Sequence, residues 1–486
     1  MFLNDMYQGF GPGEIKIIAN FKRLIERYRG DPEFRRTAVE YPTQRDDLLM
    51  NAGITLDRST REVLWKRFED GQRFSLVESD LIDHPELRLF ADWSTRYEQH
   101  LHDLKDQLNA VGHLRLAAWR NRHIQRFVSE NMGAEQVVSP FLAYELSKGC
   151  SVGCWFCGFS AERLQGYFPY TAENARLWQN ILNIGQELYG PVSQFSLCYH
   201  GTDPFDNPDY FLFLHDYFAC YGLYPQTTTA LPLKKLSMTR EMLRLREKSP
   251  TLPDRFSVLS LSILRKIHET FSPVDLRYVE LVLQNPGALG LKSSSGRARN
   301  NPQKVATANR PVIERYAPAS AGQDALTNEC LCGYLVNLVD RTIKLISPCP
   351  SSDQWPNGYR IHAQRTFRDA AEYRAFLEQS MTEWMPDKLA WQDPISFRSD
   401  LVFTRLEEGF SLTSRVRRHT LTGKSWYALL GELIAGDELS VMEITSRLAS
   451  AGASLPEVAS LINRLFDKGL LQEPEISPFS PASGLH

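Results

Sequence analysis

Three cysteines on one short segment constrain this chain more than any other feature. Cys150, Cys154 and Cys157 lie in SKGCSVGCWFCGF with the spacing C-x3-C-x2-C. Three thiolates on one loop predict a metal centre, because thiolates bind both iron–sulfur clusters and zinc. A C-x2-C pair alone is typical of zinc, whereas an overlapping C-x3-C is less common. A structural zinc loop completed by another Cys or His is the alternative.

Size and charge exclude several classes of protein. The chain has 486 residues, of which 43% are hydrophobic, and its net charge is −3. It is too long for one domain of about 150 residues, and the charge predicts no nucleic-acid partner. Eight cysteines are too few for a disulfide scaffold of this length. No signal-peptide pattern and no apolar run of about 18 residues occur, so we expect a cytoplasmic protein without a membrane partner.

Hydrophobic periodicity divides the chain into three regions. Residues 1–135 read as a helical N-terminal region, with helical spacing in EIKIIANFKRLIERY and STREVLWKRFED. Residues 136–390 alternate between strand and helix patterns, which indicates a parallel α/β sheet. Within them, 290–325 read as a polar, basic loop, and 336–347 as a hairpin with its turn at Asp340–Arg341. The predicted strands are PFLAYELS, QFSLCYH, YPQTTTA, RFSVLS and VELVLQ.

Residues 391–486 form the third region. Three short strand patterns, SDLVFTRLEE, FSLTSRV and RHTLTG, precede three helical patterns that begin at WYALLGELIAG. This order resembles the RiPP recognition element, a small winged-helix-like domain that binds the leader of ribosomally made, post-translationally modified peptides. A winged helix that binds DNA or mediates dimerisation is the alternative.

The cysteine spacing is similar to that of the radical S-adenosylmethionine (SAM) enzymes, and Phe156 matches the aromatic residue usual there. The resemblance implies a partial (β/α)6 barrel and a [4Fe–4S] cluster held by Cys150, Cys154 and Cys157, with SAM on the open iron. Gly201-Thr202-Asp203-Pro204 resembles the family's glycine-glycine-glutamate-proline motif, although Thr202 replaces a glycine and Asp203 a glutamate. The residues that the resemblance implies for SAM binding are Phe156, Gly201, Thr202, Asp203, Thr229, Ser257 and Ser260.

Five cysteines remain outside the loop. Cys198 alternates with apolar residues and is expected to be buried, and Cys220 carries no pattern. Cys330, Cys332 and Cys349 admit two interpretations: ligands of an auxiliary cluster, or one thiol aimed into the active site. Cys349 stands between two prolines, which would fix its backbone.

The whole chain resembles the radical SAM peptide epimerases of proteusin (polytheonamide-type) pathways, on SVGCWFCGF, YHGTDPFDNPDY, RFSVLSLSILRKI and LISPCPSSDQWPNGYR. This resemblance implies conversion of L- to D-residues in a precursor peptide, with an electron donor such as flavodoxin or ferredoxin. Cys349 would return the hydrogen atom, with Cys332 second. The rival functions are a crosslink or other Cα/Cβ modification of a peptide, and a non-catalytic zinc-bearing winged-helix regulator.

Overall fold

The N-terminal part of the computed structural model is helical. The structure describes residues 5–69, 78–131, 134–250, 252–316, 327–436 and 439–473. A second helix begins at Pro32, where the Asp31 carboxylate accepts hydrogen bonds from the backbone N–H groups of Glu33 and Phe34, both at 3.1 Å. The helices are α1 (Pro12–Gly30), α2 (Pro32–Glu40), α3 (Arg45–Asn51), α4 (Arg58–Glu69), α5 (Glu78–Ile82), α6 (Pro85–Asn109) and α7 (Leu114–Glu130).

Parallel strands form the centre of the molecule. One sheet has the order β1-β7-β8-β9 and another the order β4-β5-β6. β1 pairs in parallel with β7, and β4, β5 and β6 are mutually parallel. The strands are β1 (Leu142–Glu145), β2 (Ser147–Lys148), β3 (Gly166–Tyr167), β4 (Thr228–Thr229), β5 (Asp254–Val258), β6 (Val279–Leu283), β7 (Gly333–Asn337), β8 (Thr342–Pro348) and β9 (Tyr359–Thr366).

Helices connect these strands and cover their outer faces. Trp178, Phe213 and Leu264, one from each of three connecting helices, are fully buried in the same core as Tyr144 and Phe256 of the strands. The fold is therefore mixed α/β with several small sheets, and no closed barrel occurs among the residues that are described. The helices are α8 (Ala172–Tyr189), α9 (Tyr210–Tyr221), α10 (Leu236–Lys248), α11 (Leu261–Thr270), α12 (Pro302–Tyr316) and α13 (Ala370–Glu383).

Two predicted elements were wrong. QFSLCYH is not a regular strand: a 3-10 turn covers Gly190–Phe195, and a single parallel bridge then joins Leu197 to Ala143. Residues 290–325 are not one loop, because α12 occupies Pro302–Tyr316 after a 3-10 turn at Gly296–Asn300. The polar composition and the internal Pro311 concealed α12. Residues 317–326 lie outside the described residues.

The hairpin prediction is confirmed. β7 and β8 are antiparallel, Asn337 pairs with Thr342, and Arg341 at the turn has φ +51°. β8 then pairs with β9, with a register shift between Leu345 and Ile346. This extends the β1 sheet on one side by antiparallel strands.

The C-terminal unit contains the three strands and three helices that the sequence predicts. Its sheet has the order β10-β11-β12 and is antiparallel throughout. A separate core lies inside this unit, with Phe410, Leu430, Ile444 and Ile462 almost fully buried. The elements are β10 (Val402–Leu406), β11 (Gly409–Thr413), β12 (Arg418–Thr422), α14 (Tyr427–Ala435), α15 (Val441–Ser450) and α16 (Leu455–Asp467).

The C-terminal unit is tied to the end of α7. The buried Arg398 donates to Ser129 Oγ at 3.0 Å, and Ser414 Oγ donates to the Ser129 carbonyl at 2.6 Å. Glu473 pairs with Arg122 at 2.8 Å and with His123 at 3.1 Å. Within the described ranges, no helix combines the length and apolar character needed to cross a membrane.

Candidate active site

The three cysteines of the C-x3-C-x2-C segment lie on the loop that follows β2. Hydrogen bonds hold this loop at both ends: Cys150 N–H donates to the Glu162 carbonyl at 2.9 Å, and Cys157 N–H donates to the Cys154 carbonyl at 3.2 Å. The Val152 N–H lies 3.5 Å from Cys150 Sγ. All three thiols are free and partly exposed, so they are accessible to a metal or cluster.

The Cys154 thiol is affected by both of its neighbours on the loop. Burial raises the pKa of Cys154 to about 12, and the neighbouring Cys157 and Cys150 raise it further. Burial also raises the pKa of Cys150, and Asp203 and Asp206 add to this effect. Three ionised thiolates would therefore repel one another here unless a cationic centre were bound.

The donor set on this loop consists of three thiols. Among the described residues, no group of three or more His, Cys, Asp or Glu side chains is placed to hold one metal ion. In a [4Fe–4S] cube each thiolate binds a different iron, so three sulfur atoms on one loop need not converge on a point.

Arg297 holds the cysteine loop from outside, and no sequence motif marks this arginine. Its guanidinium donates to the Cys154 carbonyl at 2.6 Å and also bonds to the Ala161 carbonyl. Its backbone N–H donates to the Cys157 carbonyl at 2.8 Å. Cys150 and Arg297 together line a cavity of about 400 Å³. The loop is therefore fixed from the segment after β6, with a positive charge beside the thiols.

The predicted SAM-binding motif lies against this loop, but its carboxylate points inward. Asp203 is 5% exposed and accepts hydrogen bonds from Thr229 Oγ1 at 2.9 Å and Ala230 N–H at 2.7 Å. Burial raises the pKa of Asp203 to about 6. Gly201 N–H donates to Glu145 Oε1 at 2.8 Å. Asp203 and Thr229 thus join the motif to the end of β4, and their hydrogen-bonding groups are already engaged.

The other predicted SAM contacts are distributed around the strand ends. Ser257 is half-buried on β5, and Thr202 is half-buried beside Asp203. Ser260 accepts from Ile263 N–H at 3.2 Å and caps α11, which gives it a structural role. Phe156 makes an edge-to-face contact with Trp155 at 5.4 Å between ring centroids.

Cys349 follows β8 and is 1% exposed. Its N–H donates to the Gly358 carbonyl at 2.9 Å, and Arg360 donates to the carbonyl of the preceding Pro348 at 3.2 Å. Burial raises the pKa of the Cys349 thiol to about 11, against the opposing effect of Arg360. The thiol is therefore neutral and carries its hydrogen at physiological pH.

A short series of close contacts leads from Cys349 to the cysteine loop. A Cβ atom placed on Gly358 would lie 3.1 Å from Ser295 Cβ. A Cβ atom placed on Gly158 would lie 3.1 Å from Ser295 Oγ. Ser295 thus packs between Gly358, which accepts the hydrogen bond from Cys349, and Gly158, which follows Cys157.

The remaining cysteines differ in their surroundings. Cys332 is fully buried in the main core, with its Sγ 4.0 Å from the Arg120 carbonyl, and Cys198 is buried as expected. Cys220 lies near the end of α9, 3.6 Å from Asn183 Oδ1. Cys330 is half-buried and lines a cavity of about 460 Å³. Of the two other donor candidates, Cys330 has access to a cavity and Cys332 faces the core.

Two buried charged groups near the site were not predicted. His200 lies 2.8 Å from Glu329, and despite its burial this carboxylate raises the pKa of the imidazole. Lys292 is 2% exposed, and its amino group has no hydrogen-bond partner among the described residues. Lys292 precedes Ser293, which packs against Gly158 of the cysteine loop. A lysine in a polar segment outside any strand or helix gives no sequence signal for such burial.

Comparison with known proteins identifies the family. The chain is 35% identical over 473 residues to the uncharacterized protein y4wI of Sinorhizobium fredii (strain NBRC 101917 / NGR234). The aligned region covers 95% of this chain and 88% of that protein. The chain belongs to the y4wI family. Residues 395–469 also match the model of the y4wI C-terminal domain, which coincides with the unit that has its own core. No solved structure matches the chain.

Proposed function

We propose that this y4wI-family protein is a radical SAM enzyme that converts L- to D-residues in a ribosomally made precursor peptide. The observation that carries the proposal is the cysteine loop: three partly exposed thiols in C-x3-C-x2-C spacing, immediately after β2. The effect of Cys150 and Cys157 on the Cys154 thiol and the attachment of the loop by Arg297 support a cationic centre bound at these thiols.

The strand order supports a partial (β/α)6 barrel. β7 and β1 are parallel, Ala143 pairs in parallel with Leu197, and β4, β5 and β6 follow in parallel. In this proposal the short pairing at Leu197 takes the place of the second barrel strand. The cysteine loop would then stand at the carboxyl end of the first strand, where α/β sheets place their ligands.

The proposed cofactors are a [4Fe–4S] cluster and SAM. Cys150, Cys154 and Cys157 would hold the cluster, which together with SAM supplies a 5′-deoxyadenosyl radical. The unpaired ammonium of Lys292 favours an anionic group nearby, such as the SAM carboxylate. The inward Asp203 would act through the position of β4, so its substitution should change loop geometry as well as SAM affinity.

The chain's own chemical step is the return of hydrogen. Removal of the Cα hydrogen leaves a planar carbon that retains no handedness, so the second hydrogen determines the product. The neutral thiol of Cys349 would give its hydrogen atom to the opposite face, forming a new C–H bond and leaving a thiyl radical. One electron from a flavodoxin- or ferredoxin-type donor and one proton would restore the thiol.

The C-terminal unit is the proposed leader-binding domain. β10 and β12 are its outer strands, and an extended peptide can pair with the outer edge of such a sheet. The candidate contacts for an acidic leader are the five arginines near this sheet: Arg398, Arg405, Arg415, Arg417 and Arg418. Arg398 is withdrawn from that set, because it is 1% exposed and bonds to Asp400. A cytoplasmic location belongs to the same proposal.

Mass spectrometry of a precursor peptide co-expressed in heavy water tests the function. Each D-residue should gain one deuterium at Cα, because the Cys349 thiol exchanges with solvent. The Cys349→Ala enzyme should still release 5′-deoxyadenosine but form no D-residue. Cys220→Ala is the matched control, since that thiol lies on α9 away from the loop. A new crosslink, or D-residues formed normally by Cys349→Ala, would contradict the proposal.

A further inference from the structure

A cavity of about 460 Å³ lies between α6 and the beginnings of the parallel strands. Most of its wall is apolar: Leu101, Leu104 and Leu108 come from α6, and Leu197 and Leu252 come from the strand side. Cavities of this size commonly bind small ligands or side chains. We call it the α6 cavity.

One end of the α6 cavity is polar. Tyr199, Arg255 and Cys330 line it together, and Arg255 influences the ionisation of both Tyr199 and Cys330. Tyr199 Oη donates to Gln226 Oε1 at 2.9 Å, and Arg255 Nε donates to Glu280 at 2.8 Å. Because Arg255 already has a carboxylate partner, the cavity does not select a negatively charged ligand.

The cavity lies between the C-terminal unit and the cysteine loop. Phe127 of α7 lines it, and two residues later Ser129 binds Arg398 of the C-terminal unit. On the other side, Asn328 lines the cavity, and a Cβ on Gly158 would lie 3.3 Å from Asn328 Nδ2. The α6 cavity is therefore lined by residues that lie next to contacts of both the C-terminal unit and the cysteine loop.

We propose that the α6 cavity binds an aliphatic or aromatic side chain of the precursor peptide and so selects an apolar residue. The apolar wall would bury the side chain, and the amide of Gln226 and the phenol of Tyr199 would face the peptide backbone. A free fatty chain fits less well, because the polar end of the cavity would face only apolar carbons. This inference rests on the proposed function for its substrate but not for its test.

Protection of Cys330 from iodoacetamide measures occupancy without the cluster or SAM. The full-length protein would be alkylated with increasing acetyl-Gly-Leu-Gly-amide or acetyl-Gly-Asp-Gly-amide, and Cys330 labelling would be quantified by peptide mass spectrometry. Burial raises the pKa of this thiol to about 12, so labelling is followed for hours at mildly alkaline pH. The leucine peptide should bind roughly tenfold or more tightly than the aspartate peptide, as burial of one leucine side chain implies.

Variants decide whether binding in the α6 cavity causes the protection of Cys330. Leu104→Trp should fill the cavity and abolish protection, and Leu101→Gln at its half-buried edge gives a milder test if the first variant fails to fold. Leu114→Gln is the matched control, because Leu114 is 85% exposed and does not line the cavity. Equal protection by both peptides, or full protection in both cavity variants, would overturn the inference. Protection without D-residue formation would instead contradict the proposed function alone.

Discussion

Substitution of Gly296 by Ala should displace the cysteine loop. Gly296 has φ +58°, and a Cβ atom there would lie 2.4 Å from the carbonyl oxygens of both Cys157 and Gly158. A side chain in this left-handed conformation costs about 1–2 kcal/mol, and the steric overlap adds about 1–3 kcal/mol. We therefore expect Gly296→Ala to destabilise the fold by about 2–5 kcal/mol.

Gly222→Ala separates the two contributions. Gly222 ends α9 with φ +77° and has open space where a Cβ would stand, so only the conformational cost of about 1 kcal/mol applies. Calorimetry of the cluster-free proteins under identical conditions measures the difference. Iron bound after reconstitution gives the second readout, which should fall in Gly296→Ala and stay unchanged in Gly222→Ala. Equal destabilisation and equal iron in the two variants would refute this account of the loop.

Four further perturbations follow from the same structure. Lys292→Met should stabilise the apoprotein but weaken SAM binding, measured by melting and calorimetric titration, because an unpaired buried ammonium is lost; unchanged SAM affinity would contradict this. The rate of Cys349 alkylation should rise with pH up to about 11, the pKa of the thiol. Arg360→Met should be alkylated more slowly, because the Arg360 guanidinium lowers the thiol pKa; a rate that does not change with pH would contradict this. Burial would raise the pKa of Glu473, but His123 and Arg122 together hold this pKa far below its usual range. The stability of the fold should therefore fall as the pH drops below about 4.5, and Glu473→Gln should remove this dependence in acid melts. Deletion of residues 391–486, or Val402→Glu on the exposed outer strand, should weaken precursor binding while iron content stays constant; unchanged affinity would exclude this unit as the docking site.

Elements with strong periodicity were predictable from the sequence. The helices of the N-terminal region, the hairpin at Asp340–Arg341 and the six elements of the C-terminal unit all occur. In each, apolar spacing coincides with the buried face, so local pattern and tertiary packing agree. α12 was missed because its residues are polar and it includes Pro311.

Only the spacing of the cysteines along the chain made the site predictable. The spacing of Cys150, Cys154 and Cys157 located the loop, but the partners that hold it come from distant segments. Arg297 reaches the loop from the segment after β6, and Glu329 reaches His200 over 129 positions. The inward direction of Asp203 depends on β4, which lies 26 positions later. Such contacts arise from packing, and no local motif encodes them.

Iron content and SAM cleavage of the reconstituted protein test the central proposal most directly. We predict about four irons per chain and reductive release of 5′-deoxyadenosine. Both should be lost in the triple variant of Cys150, Cys154 and Cys157 to Ala, and retained when Cys220 is changed to Ala. One zinc per chain without SAM cleavage, or iron retained in the triple variant, would contradict the account.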